Sequence, residues 1–472
     1  MLAEEWPLYY RDALEIGNRT ASVGVCTLWT SRRRIAAALD RTLFAVAGNL
    51  YSRDGVNVIL RNVLANPAIR YIILCGKSLN DSGQALAAFF KSGIDREYRI
   101  VGNRGAIDRE IPLEAIQRVR DHVILIDLRG KTSPDEVREI ITSLKALPPF
   151  GAPEIFPLSQ AQIDVYPSES NGFVVRGATV AETWAKLLFH VMTFGDVSST
   201  DYGLQQKEIL NVTTEVISES ADKPFLPRWF PLSRREIQEY VEAFMSPARD
   251  TDVAYSYGHR LQSHWGTDQI RSMVADLKRF RLSRRAVASV WDPRYDPTSL
   301  DPPCIDLIQA TVRRGLLNLT AYVRSHDVFR AWHLNAFALK GLQGRIVREL
   351  EDLGPGSLTV VSHSAHVYED CWTQALHLLG TVMDDLILPT RFRADPRGSF
   401  VIRIEQDTIA VYHYSPGGDR LRRLEGKSAK ELSTKLAPFI ALTDHALYVG
   451  RELHRAEQAL RHRIRYEQDA VT

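Results

Sequence analysis

Cysteine is scarce in this chain: four in 472 residues, at positions 26, 75, 304 and 371, with no CxxC pair. That excludes a disulfide-stapled scaffold and the common zinc-ribbon and dithiol motifs, and it fits free thiols in a reducing compartment. No apolar run approaches the roughly 20 residues a membrane-spanning helix needs. The opening stretch, MLAEEWPLYYRDALEIG, is acidic and has no apolar core of the secretory-leader kind. A cytoplasmic protein is therefore expected, with no membrane partner. The formal net charge of +2 supplies no basic excess, so nucleic acid is not an expected partner either. Internal repeats and low-complexity tracts are absent. His363 and His366 fall on opposite faces of a strand, so no metal site is expected there.

What is present is ample apolar material, 45% of residues, for several cores. SVGVCTL (22–28), PAIRYIILCG (67–76) and HVILIDLRG (122–130) are near-continuous apolar runs alternating with helical patterns at Ser31 onward, 82–94 and SPDEVREIITSLKAL. Strands apolar on both faces, separated by helices, predict a parallel-sheet α/β domain. PPFGAPEIFP (148–157) reads as a linker. A mixed region follows, with strands at 315–323 and 357–368 and helices at 268–280 and 336–353. A small α+β extension closes the chain, with strands around SPGGD (415–419) and an amphipathic helix at 444–463 that reads as a packing element against the N-terminal domain. The expected domains are 1–165, 166–390 and 391–472.

The stretch DPPCIDLIQ (301–309) places Cys304 behind two prolines. Alone, such a cysteine is a small buried side chain more often than a nucleophile. Its neighbours change that: YGHR (257–260), DQI (268–270), SRRAVASVWDP (283–293), PPC (302–304), RSHDVFRAWHLN (324–335) and HVY (366–368) follow in order. Their types, order and spacing resemble the thymidylate synthase family, in its short archaeal-type branch.

The resemblance implies a thymidylate synthase-like central domain and a chemistry. Exchanging the C5 hydrogen of uracil requires a nucleophile to add first at C6, and a thiolate both adds and leaves readily. The resemblance makes Cys304 that nucleophile, Arg324 the cation beside it and the nucleotide phosphate, Tyr257 an assistant in removing the C5 proton, and Glu239 the catalytic carboxylate, with Glu242 as the alternative. Arg284 and Arg285 match a phosphate-binding pair donated across a homodimer, and Ser325 a phosphate-binding hydroxyl. Asn335 matches the amide that reads N3–H and O4 of uracil. His366 and Tyr368 match groups that bind the sugar hydroxyl, and Asp327 matches a carboxylate that binds the pterin ring of methylene-tetrahydrofolate or a related reduced pterin. His326 reads as structural. The implied activity is methylation of a (deoxy)uridine monophosphate. The alternatives are a 5-hydroxymethylase acting on (d)CMP or (d)UMP, and a catalytically idle nucleotide- or pterin-binding protein.

Several positions depart from the family. A Gly-Asp pair ahead of H-x-Y is His363–Ser364 here, Ile305 replaces a histidine after the cysteine, and no tryptophan lies between Met245 and Tyr257. The family's early phosphate-binding arginine loop has no clear counterpart near YGLQQKEIL (202–210). Residues 20–130, including NPAIRY, GKSLNDSGQAL and VGNRGAI, resemble the A-type component of tetrahydromethanopterin S-methyltransferase. That family's cobalt-ligating histidine is missing from GKSLNDSGQ (76–84), which argues against a corrinoid. Gly76, Ser82 and Gly83 mark the strand ends where such sheets hold ligands.

Overall fold

The apolar runs near the start of the chain build a sheet buried on both faces. The computed structural model describes residues 6–470 apart from 79, 158–164, 170, 201–204, 249–254, 300 and 384–393. The elements are β1 (Glu15–Ile16), β2 (Val23–Cys26), α1 (Arg32–Ala37), β3 (Val46–Gly48), α2 (Gly55–Ala65), β4 (Tyr71–Gly76), α3 (Ser82–Ser92), α4 (Leu113–His122), β5 (Ile124–Arg129) and α5 (Pro134–Ser143). The sheet order is β1-β3-β2-β4-β5, with β3, β2, β4 and β5 parallel and only β1 antiparallel. Every residue of β2 and β4 is buried. Leu60, Leu86 and Ile116 of α2, α3 and α4 cover one face; Ile35 and Val137 of α1 and α5 cover the other. The parallel α/β expectation holds. The structure adds β3, α2 and α4 to the elements expected from sequence; β3 has only three residues, too few to show a period.

The next elements are β6 (Val174–Gly177), α6 (Val180–Phe194), β7 (Asp196–Ser199), β8 (Gln205–Val216), α7 (Arg234–Met245), α8 (Tyr257–Gln262), α9 (Gln269–Arg279), β9 (Val287–Ser289), β10 (Ile305–Arg313), β11 (Leu316–Asp327), α10 (Trp332–Leu350), β12 (Gly354–Tyr368) and α11 (Trp372–Val382). Their sheet runs β6-β8-β12-β11-β10-β9, and β7 pairs with β8. β11 and β12 are parallel neighbours at its centre. Alternate residues of both enter one core with Trp184, Leu188, Ile270, Met273, Leu339 and Leu342 from α6, α9 and α10. β8 takes in residues 205–210 of the stretch that has no clear match to an arginine loop; it pairs along β12 and buries Lys207, Ile209, Val212, Thr214 and Val216.

The chain divides into two compact units, 1–388 and 389–472; the boundary expected at 390/391 lies outside the described residues. The second unit is an antiparallel sheet of β13 (Ser399–Glu405), β14 (Thr408–Tyr414) and β15 (Arg420–Gly426), with α12 (Ala429–Leu436) and α13 (Thr443–His462). Val449, Leu453 and Ala456 of α13 pack on Phe400, Ile402 and Val411. The apolar face of this helix, expected to dock on the N-terminal domain, is thus taken within its own unit. Among the described residues no helix is long and apolar enough to cross a membrane.

Candidate active site

Two adjacent strands set the site. Cys304 immediately precedes β10, and its carbonyl accepts the Arg324 backbone N–H at 3.0 Å. The Arg324 side chain donates from Nε to the Pro303 carbonyl and from Nη2 to the Pro302 carbonyl, both at 3.0 Å. Its guanidinium lies 5.5 Å from the Trp291 ring centroid. The rigid proline turn and the arginine are therefore one structure: the turn offers carbonyls, and the planar fork closes on them.

Burial pushes the Cys304 thiol up to about 11; Arg324 pulls it down, while Asp301, Asp327 and Asp306 push it further up. At rest the sulfur is a thiol. Three tyrosines approach it. Tyr240, on α7, is pushed above its ordinary value by burial and then by Cys304. Tyr257 and Tyr255, whose hydroxyls lie 3.5 Å apart, are raised by burial and also by Cys304. The YG motif has a steric reason: a Cβ at Gly258 would stand 2.0 Å from the Ser246 carbonyl oxygen, so only glycine lets α8 start against the end of α7 and set Tyr257 in place.

Asn335 sits in the first turn of α10, 3% exposed. Tyr240 donates its hydroxyl to Asn335 Oδ1 at 2.6 Å. Asn335 Nδ2 donates to His326 Nε2 at 3.2 Å, which leaves His326 Nδ1–H to donate to Ser362 Oγ at 2.9 Å. Burial pushes His326 down to about 3, so the ring is neutral and takes this tautomer. The relay fixes which way the amide faces. One N–H and one oxygen lone pair of Asn335 remain, the pair that matches O4 and N3–H of uracil. His326 has a structural place here, holding the Asn335 amide against Ser362.

Asp327 and Ser325 on β11 stand opposite His366 and Ser364 on β12. His366 is 3% exposed and bonds through Nδ1 to Ser364 Oγ at 3.0 Å, while that hydroxyl donates to the Glu208 carboxylate. The departure at Ser364 thus still brings a carboxylate to His366, from β8. Burial lowers His366, opposed by Asp327 and Glu208. Its ring meets Tyr368 at 4.9 Å. Asp327 accepts the Arg330 backbone N–H at 2.9 Å, and the Arg330 guanidinium pairs with Asp370. His363 is exposed on the other side of the strand and bonds to Asn211 Oδ1 at 2.8 Å.

Not every expected residue joins this group. Glu239 is exposed and ion-paired with Arg235 one turn earlier at 2.7 Å, and Glu242 is exposed beside Gln238. On α7 the apolar residues Ile237 and Phe244 fix the buried face, and Tyr240 is the member of that face that reaches the thiol region. An aromatic among hydrophobics carries no chemical flag in sequence. Arg284 and Arg285 are exposed just before the edge strand β9 and neither is hydrogen-bonded or ion-paired to Arg324, Ser325 or Cys304. The DQI motif explains their placement: Gln269 bonds both the N–H and the carbonyl of Ser289, holding β9 to the start of α9.

Comparisons with known proteins agree with this arrangement. A family model described as thymidylate synthase matches residues 229–418. One for the A-type component of tetrahydromethanopterin S-methyltransferase matches 1–155, and one described as PterinBD-DUF4346 matches 394–469. A protein of Methanothermobacter marburgensis named "Putative thymidylate synthase" is 33% identical over 213 residues, covering 42% of this chain and 95% of the relative. Relatives with the same name from Methanothermobacter thermautotrophicus and Methanopyrus kandleri are each 32% identical, over 40% and 42% of this chain and 90% and 93% of their own.

Proposed function

Because the chain belongs to the thymidylate synthase family, we propose that it transfers a one-carbon unit from a methylene-carrying reduced folate or related pterin to C5 of a uridine or deoxyuridine monophosphate, through a Cys304 adduct at C6. The observation that carries this reading is the meeting of Cys304, the Arg324 fork that grips its turn, and an Asn335 amide fixed by Tyr240 and His326.

The Cys304 thiol gives up its proton to solvent as Sγ bonds to C6, and the C5–C6 π pair moves toward C5 and O4. An N–H of Asn335 faces O4 as charge gathers there, and Arg324 favours the thiolate before addition and after release. C5 bonds to the one-carbon unit, its proton then passes by way of the Tyr255–Tyr257 hydroxyls to solvent, and the Cys304 thiolate is expelled from C6 as the C5=C6 double bond re-forms. The reduced pterin, when bound, supplies the one-carbon unit and the hydride that takes it to a methyl group. Asp327 suits such a group: its carboxylate accepts the Arg330 backbone N–H, lies 3.7 Å from the Arg330 guanidinium, and keeps lone pairs of the kind the N–H edge of a pterin needs. Two of the matched families carry pterin words in their descriptions, which supports this donor class. Ser325, His366 and Tyr368 take the phosphate and sugar, and the exposed Arg284 and Arg285 serve the phosphate of a second copy in a homodimer.

The stretch from Met245 to Tyr257 has no tryptophan to shield the nascent carbon, and this favours a second reading, in which water takes the place of hydride and the product is 5-hydroxymethyl. The test is tritium release from 5-tritiated nucleotide, with product mass, across dUMP, UMP, dCMP and CMP. Cys304→Ala is expected to lower release by about a thousandfold or more; undiminished release overturns the proposal. The product mass separates methyl from hydroxymethyl.

A further inference from the structure

The N-terminal domain turns its ligand-binding edge toward this site. In its sheet the connection from β2 goes to β3 on one side, while β4 lies on the other, so the switch point is at the carboxyl ends of β2 and β4. Open α/β sheets hold ligands there. The loop after β2 is built with unusual care. Leu28 adopts a left-handed φ of 49°, a strained choice for a branched side chain. Asn49 Nδ2 ties the loop at Leu28 O (2.6 Å), Thr30 O (2.8 Å) and Thr27 Oγ1 (3.0 Å). At the end of β4, Gly76 has φ +88°, and a Cβ there would lie 2.2 Å from the Thr27 carbonyl oxygen. What this scaffold displays is Trp29, 4.8 Å from the Tyr51 ring, and Arg32, held at 3.3 Å by Asn49 Oδ1. Trp29 Nε1 and Arg32 Nε are buried with no hydrogen-bond partner among the described residues. Buried donors of this kind are costly unless something accepts from them.

The edge faces the central sheet. Arg53 bridges Asp81 and Glu236, and donates to the Pro231 carbonyl at 3.4 Å; Arg104 donates to the same carbonyl at 3.2 Å. Tyr10 bonds to Asp370, the partner of Arg330 beside Asp327. Burial pushes the carboxyl of Asp301, the residue that starts the Cys304 turn, above its ordinary value, and Arg32 and Arg324 both oppose that rise. Beside this contact an open cleft of about 480 Å³ lies on the solvent-facing side of α7, lined by Asn80, Asp81, Asn103, Ser233, Glu236 and Glu239 and not by Trp29, Arg32 or Asp327; Asn80 also bonds to the Tyr51 carbonyl at 2.7 Å. The groups that take the nucleotide all come from the central sheet and α10.

We propose that the switch-point crevice of the N-terminal domain is the other half of the one-carbon donor site, with Trp29 and Tyr51 walling the reduced pterin ring and Arg32 anchoring an anionic group of the same donor. This rests on the one-carbon transfer proposed above. A planar heteroaromatic ring beside a Trp–Tyr pair gains dispersion and stacking contacts, and a guanidinium with an unused N–H takes a carboxylate or phosphate.

The test uses the full chain, first titrated with dUMP, then, dUMP-loaded, with methylene-tetrahydrofolate or methylene-tetrahydromethanopterin. In Trp29→Ala and Arg32→Gln the donor affinity should fall about tenfold or more while dUMP affinity stays within about twofold, since only donor contacts are removed. Arg32→Lys, which keeps the charge, should recover part of the loss. Undiminished donor affinity in both dUMP-loaded variants overturns the assignment. So does a fall in dUMP affinity alone, which would place Arg32 at the nucleotide phosphate, or a wild-type chain that binds dUMP but neither donor. A wild-type chain that fails to bind any pyrimidine monophosphate instead overturns the function on which this assignment rests.

Discussion

The two halves of the proposed site differ in how they are assembled. On the side proposed for the nucleotide, Tyr240, Asn335, His326 and Ser362 form a hydrogen-bonded relay, and Arg324 is gripped by two carbonyls of the thiol's own turn. On the side proposed for the donor, Trp29 and Tyr51 stand 4.8 Å apart and Arg32 Nε lacks a partner among the described residues. A relay that fixes one amide selects a single geometry, as base reading demands. The contrast also has a covalent logic. The nucleotide half is carried by neighbouring strands of one sheet, while the donor half is shared between two sheets that meet through ion pairs.

Breaking the nucleotide half at its base reader should have the largest effect after loss of the thiol. Asn335→Asp is expected to reverse preference from uracil toward cytosine nucleotides by about a hundredfold or more in the ratio of kcat/KM values, because one face of a fixed hydrogen-bond pattern is inverted. Unchanged preference in a dUMP–dCMP competition would remove Asn335 from the base-reading role. Arg324→Gln loses the fork that holds the 302–304 turn and the cation beside the sulfur. Turnover should fall about a hundredfold, and the Cys304 pKa, followed by the pH dependence of iodoacetamide alkylation, should rise above its wild-type value of about 11. Asp301→Asn should move it the opposite way.

Tyr240→Phe removes a single bond to Asn335 and sharpens the comparison. A loss of about 1 kcal/mol, roughly fivefold, is expected in dUMP binding with donor affinity unchanged. On the other side, Arg53→Ala cuts the link to Glu236 and Pro231 and should weaken donor binding several-fold while sparing dUMP; equal effects on both ligands would show that the two halves are not separable.

The smallest effect concerns acid stability. His326 and His333 are both held near 3 by burial, below the ordinary 6.5 of the unfolded chain. The unfolded state therefore binds more protons between these values, and stability falls as pH drops from about 6.5 toward 3. Urea midpoints across this window should fall less steeply in His326→Gln than in the parent chain.

Much of the nucleotide half is legible before any fold is known. Cys304, Arg324, Asn335, His366 and Tyr368 sit at spacings that resemble the family's, and they lie just before β10 and on β11, α10 and β12. The parallel sheet is equally legible, since β2 and β4 are apolar at every position. Glu239 misleads because a carboxylate on the right helix is visible in sequence while the face it occupies is not. Phe244 and Ile237 set that face inward, which turns Glu239 to solvent and Tyr240 to the site. β8 escapes a sequence reading because its residue types do not alternate: the polar Lys207 and Thr214 take buried positions once β12 lies beside it.

Sequence alone determined the chemistry on offer: one thiol behind prolines, guanidiniums, an amide and a pyrimidine-sized set of polar groups in a fixed order. Local patterns also determined which segments are strands and which are helices wherever the apolar period is strong. Only the tertiary structure decided how the Asn335 amide is oriented, that Glu208 reaches His366 through Ser364, and that Arg104 and Tyr10 of the N-terminal domain meet Pro231 and Asp370. Those are facts of relative position between elements remote in sequence. They are set by which faces pack together, because a hydrogen bond or an electrostatic pull depends on distance in space and carries no trace in the spacing of residues along the chain.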